Sequence, residues 1–269
     1  KGIECIVGGP ADKSKIRDRF TCLNNESELM QYLTLKKSII KRSDRHIGSA
    51  STVPDFSDYD RQDYFSREMI YPIKTCTICV YRKCSFCNHS KNEPYMEFDI
   101  ETIKDAVRSC NSRYFFLIDD MVHAKRMLQL SAAFRPLKIR WWCHLRPDKE
   151  FLGSFAELHA SGLSCVAWGV ESGSQRILDL MRKGTSIENI KKVLKESHEA
   201  GIRNIVYIMF GFPSETKEEF WQTINFLKEN SEYIDLISTS IFGLQKESFV
   251  YNNPKEFGIN EIKTEKRTI

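Results

Sequence analysis

No run of apolar residues in this chain approaches the roughly 20 needed to cross a bilayer, so a membrane-spanning role is not expected. A dense lysine and arginine stripe is also missing. The net charge is +4, from 40 basic against 36 acidic residues. The one local basic run, Lys36-Lys37 to Lys41-Arg42, reads as a solvated face, so no nucleic-acid partner is expected. No secretory leader is visible. Nor is there a disulfide framework: the cysteines number nine, four of them crowd between positions 76 and 87, and the others sit in apolar runs. That distribution fits a reducing, cytoplasmic compartment and a metal site.

The chain has 269 residues, 41% hydrophobic and 28% charged. That suits one large α/β domain, or one such domain plus a fragment of another. It begins with Lys1, and Gly2-Ile3-Glu4-Cys5-Ile6-Val7-Gly8-Gly9-Pro10 already reads as a buried strand entering a turn, as expected of a piece of a longer protein. Residues 1–33 read as strand, turn and short helix (Glu26 to Leu33). Residues 34–68 read as a linker, with the turn-rich stretch Val53-Pro54-Asp55-Phe56-Ser57-Asp58.

From position 70 a regular alternation begins. Strand-like runs fall near 70–77, 114–118, 138–145, 164–170, 204–212 and 234–242, and each of the first five is followed by a helical pattern. Thr185 with Glu188, and Thr216 with Glu219, have capping-box spacing. Phe220, Ile224 and Leu227 recur as one buried stripe. Gly201 is placed to close the preceding helix in a left-handed conformation. Six strands alternating with helices imply a parallel sheet with right-handed crossovers, a partial and open β/α barrel. In such sheets the chemistry lies just beyond the carboxyl ends of the strands.

The segment Cys76-Thr77-Ile78-Cys79-Val80-Tyr81-Arg82-Lys83-Cys84-Ser85-Phe86-Cys87 follows the first of these strands directly. Three thiolates on a four-iron cluster leave one iron open to a small molecule, which separates a catalytic cluster from an electron carrier with four protein ligands. The competing reading is zinc in an α/β binding protein. Cys84 and Cys87 form a CxxC knuckle, and Cys76, Cys79 or His89 could complete a tetrahedron. No separate downstream CxxC or HxxxH pair accompanies it.

These residues resemble the radical S-adenosylmethionine (SAM) superfamily, whose cluster motif is CxxxCxxC, often with an aromatic before the last cysteine. Phe86 takes that place, while Cys79 and Cys84 are four residues apart rather than three. The wider gap resembles the motif of cobalamin-binding members of the family; Cys79 is the better match, and spacing leaves Cys76 open. The resemblance extends over 70–258. It is carried by Trp168-Gly169-Val170-Glu171-Ser172-Gly173-Ser174, by Leu180-Met181-Arg182-Lys183-Gly184-Thr185, and by Ile208-Met209-Phe210-Gly211-Phe212-Pro213-Ser214-Glu215-Thr216. It implies a partial (β/α)6 radical SAM barrel over 69–245 with the start of a C-terminal extension at 246–269, and a [4Fe–4S] cluster on Cys79, Cys84 and Cys87 with Phe86 beside it. It implies SAM contacts from Glu171 and Ser172 (ribose hydroxyls or amino group), from Arg146 or Lys183 (carboxylate), from Asp119-Asp120 (amino group, where relatives carry Gly-Gly-Glu) and from Gly211, whose backbone would approach the adenine. His144, ending the third strand, is a candidate to face the substrate, or else a core histidine.

The reaction the resemblance implies is reductive cleavage of SAM to methionine and a 5′-deoxyadenosyl radical. The partners implied are an electron donor such as flavodoxin or ferredoxin and a small-molecule or peptide substrate. Residues 1–33 resemble the C-terminal remnant of a Rossmann-like, cobalamin-binding domain, so cobalamin is expected of the full-length protein rather than of this chain alone. Methylthiolating members add a second three-cysteine cluster and an RNA-binding module, and this chain carries neither pattern.

Overall fold

A computed structural model describes residues 6–7, 21–22, 56, 68–88, 94–110 and 112–263. The chain divides into two compact units, Lys1–Thr52 and Val53–Ile269, a boundary that falls inside the 34–68 linker. In the first unit, β1 (Ile6–Val7) pairs in parallel with β2 (Thr21–Cys22). The helix expected at Glu26–Leu33 lies outside the described residues.

The second unit is built on six strands: β3 (Ile70–Ile73), β4 (Tyr114–Leu117), β5 (Arg140–Leu145), β6 (Leu163–Glu171), β7 (Arg203–Phe210) and β8 (Leu236–Ile241). Their order across the sheet is their order in the chain and every neighbouring pair is parallel. Helices α1 (Ile100–Ser109), α2 (Ala124–Phe134), α3 (Phe155–Ala160), α4 (Gln175–Leu180), α5 (Ile187–Glu199) and α6 (Lys217–Glu229) fill the connections, and a short α7 (Phe249–Asn252) follows β8. This is the expected partial (β/α)6 barrel, an open sheet with β3 and β8 as edges. Among the described residues no helix is long and apolar enough to cross a membrane.

Alternate residues divide between the faces. One face buries Phe115 and Leu117 of β4, Trp141, Cys143 and Leu145 of β5, and Trp168 and Val170 of β6. The other carries half-buried Phe116, Trp142, His144 and Tyr207. A satisfied polar knot ties β6 and β7 to α5: Trp168 Nε1 and Ser197 Oγ each donate to Asn204 Oδ1 at 2.8 Å, and Asn204 Nδ2 donates to the Leu194 and Tyr233 carbonyls. Such buried networks fix register, because each unpaired member would cost about 1–3 kcal/mol.

Local signals are met unevenly. The Thr216–Glu219 capping box forms. The Thr185–Glu188 box does not: Thr185 Oγ1 donates to the Pro147 carbonyl at 2.7 Å, and Ser186 caps α5 by accepting from Asn189 N. Gly201, at φ +86°, ends α5, with Gly201 N bonding to His198 O and Ile202 N to Ser197 O, a Schellman closure. The buried stripe of α6 runs through Glu219, Thr223, Phe226 and Leu227, one position round from the expected one; Phe220 and Ile224 are half-buried. The rotation follows from polar anchors, since Glu219 and Thr223 both bind the loop after β6.

Candidate functional site

The cysteine loop leaves β3 and is fastened by five hydrogen bonds. Val80 N donates to Met121 O, Ser85 N and Oγ donate to the Met181 and Leu180 carbonyls, Tyr81 Oη donates to Arg182 O at 2.7 Å, and Val250 N from α7 donates to Ser85 O. Phe86 packs on an apolar cluster formed by Ile177, Met181, Phe212, Val250 and Phe257. The start of the C-terminal extension therefore belongs to the wall that holds this loop. Gly184 is essential to the closeness: its φ is +66°, and a Cβ there would lie 2.2 Å from Tyr81 Oη.

Cys79, Cys84 and Cys87 are half-buried in this loop. Burial pushes the Cys84 thiol up to about 11; the Lys183 ammonium opposes the shift, while Cys87, Cys79 and Glu171 add to it. Three thiols, one ammonium and one carboxylate thus share one electrostatic neighbourhood. Cys76 is elsewhere. It is 1% exposed, and its Sγ donates to Asp119 Oδ1 at 3.3 Å and faces Ile78 O. Among the described residues no three His, Cys, Asp or Glu side chains gather as a single metal ion would need. His89 lies outside the described residues. A four-iron cluster makes a different demand, since each thiolate binds its own iron; a half-buried loop presenting three neighbouring thiols beside a cation fits it.

Glu171 and Lys183 meet at the carboxyl end of β6. Lys183 Nζ lies 2.8 Å from Glu171 Oε1, with the two side chains 8% and 12% exposed. A helix-end charge in solvent is thereby ruled out for Lys183. Burial works against its ammonium, but Glu171 and Cys84 outweigh it, and the net shift is upward. The pair stands over the half-buried face: a Cβ on Gly169 would be 2.8 Å from Lys183 Nζ and 2.9 Å from Glu171 Oε1. Glu171 has φ +68°, and Ser172 N bonds back to Val170 O, so the strand ends in a strained γ-turn. Arg82, Arg182 and Ser214, on the neighbouring loops, share this left-handed conformation. Strain of this kind, about 1–3 kcal/mol per residue, collects where a site must hold a fixed shape.

Other expected ligands are occupied by the protein. Asp119, 3% exposed, accepts from Thr75 N, Thr75 Oγ1, Cys76 N and Cys76 Sγ. Its carboxylate thus clamps the end of β4 to the end of β3. Asp120 is exposed, and its charge reaches His144. Ser172 is fully buried. Its hydroxyl joins Thr223 Oγ1 and accepts from Ser174 N, while Ser174 caps α4. Arg146 donates to the Lys183 and Gly184 carbonyls, pairs with Asp148, and lies with its Cζ 3.7 Å over the Tyr81 ring. It braces the loop that presents Lys183. Gly211 has φ +72°, and its N–H donates to Glu215 Oε2 at 2.6 Å.

Two buried polar atoms at these strand ends have no protein partner among the described residues, Arg146 Nε and Glu215 Oε1. Burial raises the Glu215 carboxyl, the Gly211 N–H opposing. Glu215 carries no distinguishing mark in the sequence beyond its place in the fifth-strand motif. A groove of about 510 Å³ beside the loop is lined by Tyr81, Cys84, Gly184 and Phe249 and edged by Arg82, Lys83, Arg182 and Asp179.

The sequence profile of the Radical SAM superfamily matches residues 73–227, the stretch that holds these strand ends and the cysteine loop. The chain belongs to the radical SAM superfamily. Among its relatives is the bacteriochlorophyllide d C-12(1)-methyltransferase of Chlorobaculum tepidum, 27% identical over 209 residues, which are 72% of this chain and 45% of that protein. Solved structures with the same fold include the radical SAM methyltransferase TsrM from Kitasatospora setae with cobalamin and a [4Fe–4S] cluster bound. It has a TM-score of 0.56 and 20% identity, over 68% of this chain and 38% of that one. The cobalamin-dependent radical SAM enzyme OxsB, with aqua-cobalamin and SAM bound, has a TM-score of 0.53 and 19% identity, over 70% of this chain and 30% of that one. The chain thus spans less than half the length of these relatives.

Proposed function

We propose that this chain is the catalytic core of an enzyme that cleaves SAM reductively, with a [4Fe–4S] cluster on Cys79, Cys84 and Cys87. The observation that carries the reading is one half-buried loop holding three cysteines, whose Phe86 ring lies 5.8 Å from Lys183 Nζ, itself paired with Glu171 at the carboxyl end of β6, while Asp119 holds Cys76. A [4Fe–4S] cluster held by these three residues would supply the one electron for reductive cleavage of SAM to methionine and a 5′-deoxyadenosyl radical, the species that would take a hydrogen atom from substrate.

The protein's part is positioning and exclusion of water. Phe86 shields one side of the cluster loop. Lys183, held by Glu171 and backed by Arg146, offers a fixed positive charge to the SAM carboxylate; Glu171 is placed to receive the amino group or ribose. Glu215, with one buried oxygen left over, is an additional acceptor at the adenosine end. The exposed cations Arg82, Lys83 and Arg182 around Cys84 suit an acidic one-electron donor of the flavodoxin or ferredoxin type. The likeness to cobalamin-dependent neighbours supports cobalamin use and methyl transfer by the full-length protein.

Anaerobically reconstituted protein given dithionite and SAM is expected to release 5′-deoxyadenosine. A loaded, reducible cluster that yields none overturns the reading.

A further inference from the structure

The half-buried face of the sheet carries a wall of rings. Phe116 of β4 and Trp142 of β5 are register partners and stack with centroids 3.8 Å apart at 11°. His144, two residues further along β5, stands edge-on to both, at 4.9 Å from Phe116 and 5.5 Å from Trp142. From β7, Tyr207 reaches His144 and the two share a 3.2 Å hydrogen bond between Tyr207 Oη and Nε2. That bond passes over β6. It can do so because β6 places Ala167 opposite His144 and Gly169 opposite Tyr207, and Ala167 is fully buried beneath the pair. The four rings therefore form one surface from β4 to β7. Three inter-strand spacings make it about 14 Å broad, wider than an indole or a purine.

Three features mark this surface as a binding wall rather than ordinary core. It lies on the face opposite the helices, with each ring only half-buried. It is continuous with the proposed site, since Gly169, beside Tyr207, is the residue over which Lys183 and Glu171 stand. It also keeps a polar edge: the Nε2 of His144 is held by Tyr207, and among the described residues no partner holds Nδ1. Burial lowers the His144 pKa, with Asp120 opposing, so the ring is neutral at physiological pH and can offer one donor or acceptor.

We infer that the substrate is an extended planar π-system of several fused or conjugated rings, resting on the face of Trp142 that Phe116, stacked behind it, leaves uncovered, with a polar substituent at His144. The inference rests on the radical SAM reading of the same sheet end, which places the reacting carbon near that end. Offset or edge-on ring contacts favour such a ligand over a saturated one of equal size by about 0.5–1.5 kcal/mol per ring.

The test is equilibrium binding to the full chain, followed by fluorescence and absorbance, with protoporphyrin IX as the planar probe and cholate as a saturated polycyclic acid. Protoporphyrin IX is expected to bind and cholate not to. Trp142→Ala should weaken the porphyrin at least tenfold, and Trp142→Phe, which keeps a ring, far less. Trp221→Ala, at an exposed tryptophan on α6, should change nothing and controls for adhesion to the surface. Equal binding of cholate, or equal effects of Trp142→Ala and Trp221→Ala in samples with the same melting temperature, overturns the inference. Uncoupled 5′-deoxyadenosine release is measured separately. Its presence without porphyrin binding refutes only the substrate class, whereas porphyrin binding without it refutes only the radical chemistry.

Discussion

Replacing Lys183 with methionine removes an ammonium that sits 2.8 Å from Glu171, in a pair whose side chains are 8% and 12% exposed. The carboxylate stays buried without a counter-charge, and breaking a buried pair from one side costs about 3–5 kcal/mol. Against a typical domain stability of about 5–15 kcal/mol this is a large share, and in a unit of this size it lowers the melting temperature by about 10 °C. The double substitution Lys183→Met with Glu171→Gln leaves no buried charge and is expected to recover most of the loss. The folded pKa of Lys183 is raised above its ordinary 10.5 by Glu171 and Cys84, against the pull of burial. A base with a raised folded pKa contributes its full stabilisation below the unfolded value and loses it as pH climbs through the folded one. The Lys183→Met deficit should therefore be constant from pH 6 to 9 and shrink only above about pH 10.5. The assay is thermal and urea unfolding under reducing, anaerobic conditions at matched cluster content. A loss below about 1 kcal/mol, the range of solvent-exposed pairs, or a double variant as unstable as the single one, would refute the reasoning.

Asp119→Ala strands the buried donors of Thr75 and Cys76 and should destabilise by about 3–5 kcal/mol, since each orphaned group costs about 1–3 kcal/mol; urea unfolding measures it. Burial raises the Asp119 carboxyl above 3.8, so wild type should lose stability relative to Asp119→Asn as pH rises from that value through the folded pKa. Gly173→Ala places a Cβ 2.6 Å from Thr223 Cα and 2.8 Å from Gln222 O, both backbone. The resulting shift between α6 and the β6 loop should cost about 1–3 kcal/mol, read as a fall in melting temperature. Charge reversal by Arg82→Glu with Lys83→Glu should slow cluster reduction by reduced flavodoxin several-fold at low salt and leave dithionite reduction unchanged, as expected of electrostatic steering. Stopped-flow absorbance reads both rates, and equal slowing with both reductants would count against a docking role.

The strand array was legible because β4, β5 and β7 alternate buried with half-buried or exposed residues and the apolar runs end in turns or caps. The expected run at 164–170 became β6 at Leu163–Glu171, and that at 234–242 became β8 at Leu236–Ile241. The roles of polar residues at the strand ends were less legible. Asp119 and Ser172 carry the right chemistry for a ligand, yet both turn inward to satisfy backbone and hydroxyl groups, a choice made by loop curvature that spacing does not encode. Thr185 likewise had a cap's spacing but was drawn to Pro147 O by the loop that Arg146 braces. Nothing in the spacing shows that Lys183 is buried; its burial depends on Gly169, whose missing side chain leaves room for the ammonium. Among the cysteines, spacing left Cys76 and Cys79 both open; burial and the Asp119 contact of Cys76 separate their environments.

That separation allows the most direct test of the cluster assignment. Electron paramagnetic resonance of the dithionite-reduced, reconstituted protein, with and without SAM, should show a [4Fe–4S]⁺ signal that changes on SAM addition in wild type and in Cys76→Ala. In Cys79→Ala the signal should be absent or unresponsive. A Cys79→Ala protein that keeps a SAM-responsive signal, or a Cys76→Ala protein that folds to the wild-type melting temperature but has lost it, would contradict the account.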